Sequence, residues 1–223
     1  MITYFQKFPY ILRKKVKFIT MDMSSQFRLV MKSVFPHACI VADRFHVFRN
    51  VEWAMERVRK AEQNRLFAKT RLFKSNKRLL RKPYRVLTND EITRLEDIFR
   101  ASPRIHNAYL LKETFNRVKD FKGQSRECVI EVLEQWLGIV RTANIPEFSS
   151  VLKTFTSWRK EIINALIYPY SNGFTEGCNN KIKVLKRVSY GIRNFRRFRT
   201  RILFLNTERG HATLPVHVLS ESA

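Results

Sequence analysis

Residues 16–43 read "VKFITMDMSSQFRLVMKSVFPHACIVAD", and this stretch decides the fold. Two short, β-rich apolar runs, "VKFIT" at 16–20 and "CIVA" at 39–42, each lead into an aspartate, Asp22 and Asp43. Runs this short suit buried strands, and "SSQFRLVMKSVFPHA" between them has helical character. Two strands joined through a helix run parallel and side by side, so their carboxyl ends open on one edge. Asp22 and Asp43 are therefore expected to stand together where α/β proteins gather their sites.

From 44 to 168 no strand pattern recurs. Val47, Val51, Ala54, Val58 and Ala61 fall on one helical stripe, and Val129, Val132, Trp136 and Val140 on another. Pro83, "TND" at 88–90, "SP" at 102–103, Gly123 and "IPEF" at 145–148 punctuate the block into roughly five or six helices. The expected class is α/β, mostly helical overall. Residues 1–50 form a partial core with the strands, 51–168 an all-helical insertion, 169–206 the closing helices of the core, and 207–223 a frayed tail.

The chain has 223 residues, 43 Lys and Arg against 19 Asp and Glu, and a formal net charge of +24. Such an excess repels itself unless a polyanion answers it, and the cations recur along most of the chain, which points to nucleic acid. Between 44 and 82, thirteen Lys or Arg face three Glu, with Phe45, Phe48, Trp53, Phe67 and Phe73 interleaved. With so few acids at hand, phosphate contact is expected of this stretch, with stacking of bases on its aromatics. Cys39, Cys128 and Cys178 form no C-x-x-C pair. They fit neither a disulfide framework nor a zinc site, which predicts reduced, buried thiols in a cytoplasmic protein. No apolar run reaches the about 18 residues of a membrane span, and the N-terminus lacks a signal-peptide pattern.

A second stretch, "SNGFTEGCNNKIKVLKR" at 171–187, places one acid, Glu176, upstream of Lys181, Lys183, Lys186 and Arg187. On a helix, Phe174, Cys178, Ile182 and Leu185 share one face, and Glu176, Asn180, Lys183 and Arg187 the opposite one. Gly191 ends this helix. Asn194 caps the next, where Phe195, Phe198, Ile202 and Leu205 make a core face while Arg196, Arg197, Arg199 and Arg201 point elsewhere. Residues 176–201 hold nine Lys or Arg and a single acid. Each acid has an ordinary explanation: Glu176 complements a helix N-terminus, and Asp43 is an N-cap before "RFHV". Paired with Asp22, however, Glu176 suits phosphodiester chemistry. That chemistry draws carboxylates from separate elements to hold two Mg²⁺ ions about 3.5 to 4 Å apart.

The blocks "VKFITMDMSSQFRLVMKSVFPHACIVADRFHVFRNV" at 16–51 and "SNGFTEGCNNKIKVLKRVSYGIRNFRRFRTRIL" at 171–203 closely resemble the two signature blocks of the ISL-three family of bacterial insertion-sequence transposases. That family also carries a helical insertion between them, so the resemblance covers most of the chain. It implies a ribonuclease H-like catalytic core, here partial (βαβ plus C-terminal helices) and interrupted by the all-α insertion. It also implies a D-D-E triad that uses Mg²⁺ to nick transposon ends and to join the freed 3′ hydroxyl to target DNA. Asp22 matches the second aspartate of the triad and Glu176 its glutamate, which makes both catalytic and both metal ligands. Asp43 and His46 match the family's D-R-F-H string and are site-adjacent. Asn179, Asn180, Lys183 and Lys186 match the tail of the glutamate block; Asn180, Lys181, Lys183, Lys186, Arg187, Arg193, Arg196 and Arg197 are expected to bind DNA.

The family's first aspartate lies on a strand upstream of "VKFIT", whereas "MITYFQKFPYILRKK" at 1–15 holds no acid. The family's zinc-binding and helix-turn-helix modules have no counterpart either. The expectation is a C-terminal fragment whose two-metal site is short of its first ligand. It would bind DNA without cutting it alone, as a homodimer or in mixed multimers with the full-length transposase. The alternative is a non-catalytic basic helical nucleic-acid-binding protein that represses the full-length element. A ribosomal or RNA-processing protein would share the charge but leave the strand-end aspartates unexplained.

Overall fold

The computed structural model describes residues 1–118 and 125–207, without the side chains of 205–207. Gly123 and all but the first residue of the expected tail lie outside the described residues. The chain divides into two compact units, Met1–Ser171 and Asn172–Ala223.

In the first unit, short helices α1 (Ile2–Phe5) and α2 (Tyr10–Lys14) precede strand β1 (Phe18–Met21). Helix α3 (Ser25–Val34) follows, its start fixed by the Ser24 hydroxyl accepting from the Phe27 N–H. Strand β2 (Cys39–Ala42) then pairs with β1 in parallel, in register from Phe18↔Cys39 to Met21↔Ala42. The strand, helix and strand expected of 16–43 are all present. β1 begins later than the apolar run because its partner starts only at Cys39, whose N–H reaches the Lys17 carbonyl at 2.8 Å.

Seven helices follow among the described residues: α4 (Arg44–Arg65), α5 (Thr70–Ser75), α6 (Asn89–Ala101), α7 (Pro103–Val118), α8 (Arg126–Ala143), α9 (Ser149–Ser157) and α10 (Arg159–Ile167). The signals at 88 and 102 do what their chemistry predicts. Thr88 and Glu91 form a reciprocal capping box, and the Ser102 hydroxyl accepts from the Ile105 N–H at 3.2 Å. The block exceeds five or six helices because a short helix forms inside the basic run and because Trp158 interrupts the segment after "IPEF".

Helix α4 is the spine of the core. It buries Val47, Val51, Ala54 and Val58 of the expected stripe, and Met55 beside them, while Ala61 is only half-buried. Across from it, Phe115 of α7 meets Phe48, Trp136 and Phe155 with ring centroids 5.5, 4.5 and 5.5 Å away. Helix α10 lies on the sheet. The Asn164 amide donates to the Ile40 carbonyl at 2.8 Å, satisfying a buried acceptor of β2, and itself accepts from Arg126.

The surplus charge of 44–82 is met internally to a larger extent than its composition implies. Arg59 forks onto Glu56, which also faces Lys77, while Arg65 pairs with Glu62 and Lys82 with Glu91. Arg44 donates to the Ala165 and Tyr168 carbonyls, and Arg57 to the Glu147 carbonyl and the Ser150 hydroxyl. These partners lie far along the chain, where counting local acids does not find them. The cysteines are free but only half-buried, not buried as expected. No described helix is long and apolar enough to cross a membrane.

The second unit holds α11 (Gly173–Val188) and α12 (Phe195–Thr207). Between them the chain turns through Tyr190 and Gly191. Helix α11 ends at Val188, ahead of the expected glycine; the backbone is left-handed at Tyr190 (φ +35°) and at Gly191, whose φ of +83° is one a side chain would resist. The Asn194 side chain accepts from the Arg197 N–H at 3.2 Å, capping α12 as its position foretold. Cys178, Ile182, Leu185, Phe198 and Ile202 are half-buried, tracing the expected apolar faces. Phe174 and Phe195 do not join them: they are 66% and 72% exposed, since two helices offer too little surface to cover every large ring. The side chain of Leu205 lies outside the described residues.

Candidate active site

Asp22 and Asp43 occupy the step of the parallel register just beyond Met21↔Ala42, so backbone pairing alone places them side by side at the carboxyl edge. The Asp43 N–H donates to the Met21 carbonyl at 2.7 Å, extending the ladder to the acid itself. Asp22 is exposed, and no hydrogen bond engages its carboxylate among the described residues. The Ser24 N–H donates to its backbone carbonyl at 2.9 Å, turning the chain tightly into α3.

Asp43 is in a different position. It is 3% exposed and heads α4, its Oδ1 accepting from the Phe45 N–H at a long 3.4 Å. The N-cap expected of it is therefore real. Its Oδ2, by contrast, is buried and has no hydrogen-bond partner among the described residues, while His46 Nε2 stands 3.8 Å from it, beyond hydrogen-bonding distance. A buried acceptor left unanswered costs about 1–3 kcal/mol and calls for a cause such as an ion or an ordered water. Two neighbouring carboxylates, one exposed and one with an orphaned oxygen, fit an oxygen-seeking divalent ion such as Mg²⁺, which takes one or two carboxylates and keeps several waters. The edge is firmly held. Arg44, next to Asp43, ties the start of α4 to the end of α10, and Phe18 of β1 packs its ring 4.8 Å from Tyr168.

Glu176 belongs to the second unit, in the first turn of α11, where it is exposed and its N–H donates to the Asn172 carbonyl at 3.0 Å. Asn180, Lys181, Lys183, Lys186 and Arg187 are exposed along the same helix, and Arg193, Arg196 and Arg197 are exposed around the start of α12. No ion pair among the described residues engages any of these cations. The first unit thus brings Asp22, Asp43 and His46 to one edge, and the second carries Glu176 and the basic surface. What residue spacing left out is the orphaned oxygen of Asp43. The pairing of Asp43 with His46 one turn later was its only trace in the sequence.

The chain belongs to the ISL-three family of DDE transposases: the family's model, described as transposase, matches residues 1–202. The transposase for insertion sequence element IS1001 of Bordetella parapertussis is 25% identical over 195 residues, 86% of this chain and 48% of that protein. The transposase for insertion sequence element IS1557 of Mycobacterium tuberculosis is 32% identical over 108 residues, 48% of this chain and 24% of that protein. A protein of Lactococcus lactis named ATP-dependent protease is 48% identical over 60 residues, only 26% of this chain and 19% of that one. The chain thus spans less than half the length of the transposases it matches. No solved structure matches it.

Proposed function

We propose that the chain serves DNA transposition as part of a DDE-type transposase, with a ribonuclease H-like core whose acids support metal-dependent phosphodiester cleavage and strand transfer. Family membership supports this, and one observation in the molecule carries it: two aspartates share the carboxyl edge of parallel strands, and one has a buried oxygen without a donor. In this proposal Asp22 and Glu176 hold Mg²⁺, with Asp43 and His46 alongside. When bound, the metal activates the attacking water or 3′ hydroxyl and stabilises the leaving oxygen. Lys183, Lys186, Arg187, Arg196 and Arg197 grip phosphates regardless of sequence, and Arg44 keeps the strand edge in place.

The partner is DNA, both transposon ends and target, engaged in the cytoplasm with a second copy or a longer transposase. The 1–223 polypeptide has no acid ahead of Asp22. By itself it is expected to bind DNA and leave it uncut, which is also how it would repress an active element.

The test is a Mn²⁺ titration followed by electron paramagnetic resonance, on wild type, Asp22→Asn and Glu176→Gln, beside a Mg²⁺-dependent nicking assay. Each substitution is expected to weaken Mn²⁺ binding by about tenfold or more. Unchanged Mn²⁺ affinity in both variants would make the acids purely structural. Nicking by wild type that Glu176→Gln abolishes would overturn the expected inactivity of 1–223 alone.

A further inference from the structure

The aromatics interleaved with basic residues between 44 and 82 do not share one environment. Phe73 is fully buried, and Phe48 is half-buried against Phe115. Phe45 and Trp53, in contrast, are 52% and 47% exposed. They sit eight residues apart on α4 with Arg49 midway, so all three lie on one face of the helix. The Arg49 guanidinium stands over both rings, 5.0 Å from the Phe45 centroid and 5.1 Å from that of Trp53. Together with Glu52 and Arg81 they line a cavity of about 240 Å³. Two guanidiniums outnumber the one carboxylate there.

Exposed rings recur along the chain, Phe67, Phe174 and Phe195 among them; what sets Phe45 and Trp53 apart is the guanidinium they share. A cation between two such rings recurs where strands of nucleic acid are held, since a base stacks on a ring face and an arginine meets the phosphate beside it. The spacing selects the form of the strand. Eight residues of helix separate the two attachment points by about 12 Å, and the guanidinium they share keeps the ring centres within about 10 Å of each other, whereas neighbouring bases in a duplex strand are about 3.4 Å apart and present no free faces.

We propose that the Phe45–Arg49–Trp53 ladder is a docking strip for unpaired nucleotides of a DNA strand. The two rings stack on bases that are not neighbours, and Arg49 with Arg81 contacts the phosphates between them. The proposal rests on DNA being the partner and adds the state of the strand and the side chains that sense it. It also places this contact on the helix that Asp43 caps, so the strip runs outward from the strand edge.

The test uses the chain's own fluorescence. Trp136 and Trp158 are 2% and 4% exposed, so quencher-accessible emission reports Trp53. The full 1–223 chain is titrated with a short single-stranded oligonucleotide and, in parallel, with the same sequence as duplex. The single strand is expected to quench Trp53. With affinity read from the anisotropy of a labelled oligonucleotide, since the Trp53 variants lose the reporter, Phe45→Ala and Trp53→Ala should each lower single-strand affinity about tenfold, the order that loss of one stacked base produces, and duplex affinity by less than about twofold. Trp53→Phe should retain single-strand affinity, because a ring remains to stack; circular dichroism confirms that each variant folds. Unaltered Trp53 emission on a bound single strand, or equal losses on both DNAs, would overturn the ladder while leaving DNA binding intact. Failure to bind either DNA would overturn the DNA partnership and the ladder with it.

Discussion

The two units of this chain treat positive charge in opposite ways. In the first, many cations are spent on structure: Glu62 is wholly buried at the far end of α4, with Arg65 forked onto it at 2.9 and 2.7 Å, the Ser102 hydroxyl at 2.6 Å, and Arg104, which also forks onto Glu147. In the second, nine Lys and Arg between 176 and 201 share a single acid and are left facing solvent. An arginine that completes an internal network has few donors left for a phosphate, whereas an unpaired one keeps them all. Net charge alone therefore cannot locate a nucleic-acid surface. The informative quantity is the charge that folding leaves unanswered.

Replacing Glu62 with Gln strikes the first unit hardest. Removing one member of a buried ionic cluster costs about 3–5 kcal/mol, so denaturant unfolding should show a large fall in stability, with the DNA affinity of the folded fraction unchanged. A loss of DNA affinity without a loss of stability would erase the contrast between the units.

Acid should act through the same residue. Hydrogen bonds from Arg65, chiefly, hold the Glu62 carboxyl at about 2, against its ordinary 4.5. A pKa lowered by folding means that this stabilisation is fully present above pH 4.5 and drains away as pH falls toward 2. About 3 kcal/mol should disappear across that window. Unfolding measured as a function of pH should show the loss in wild type and not in Glu62→Gln.

In the second unit, changing Lys183, Lys186, Arg187 and Arg197 together to Gln should leave stability nearly unaltered. The slope of log affinity for DNA against log salt should become shallower by about 3 to 4, close to one for each phosphate no longer neutralised. An unchanged slope would show that these cations do not touch DNA.

The smallest effect is expected at Asp43. Asn remains a good N-cap, so Asp43→Asn should shift stability by no more than about 1 kcal/mol. Mg²⁺ should raise the melting temperature of wild type but not of this variant if an ion answers the orphaned oxygen, and an identical response in both would assign that oxygen to water.

Much of the fold was legible because it rests on local chemistry. The strands around Asp22 and Asp43, the caps at Thr88, Ser102 and Asn194, and the glycine turn at Gly191 each follow from residues a few positions apart. What stayed hidden depends on distant partners. Glu62 follows the buried stripe of Val47, Val51, Ala54 and Val58, yet a carboxylate can be buried there only because Ser102 and Arg104 arrive from another helix pair. Asp43 read as a cap and was one, but its second oxygen becomes an orphan only once folding buries it. Phe45, Phe48, Trp53 and Phe73 looked alike as letters and were separated only by the helices that cover some of them.

Helix α4 runs unbroken for 22 residues, from the strand edge to the Glu62 network. A straight helix is a rod with fixed graduations: Trp53 lies ten residues past Asp43, about 15 Å along the axis. Measured against the about 3.4 Å per nucleotide of a stacked strand, that is a reach of four or five nucleotides. A strand spanning both marks would have its distance from bond to base dictated by backbone geometry, so the helix would act as a molecular ruler whose setting no substitution on its surface can change.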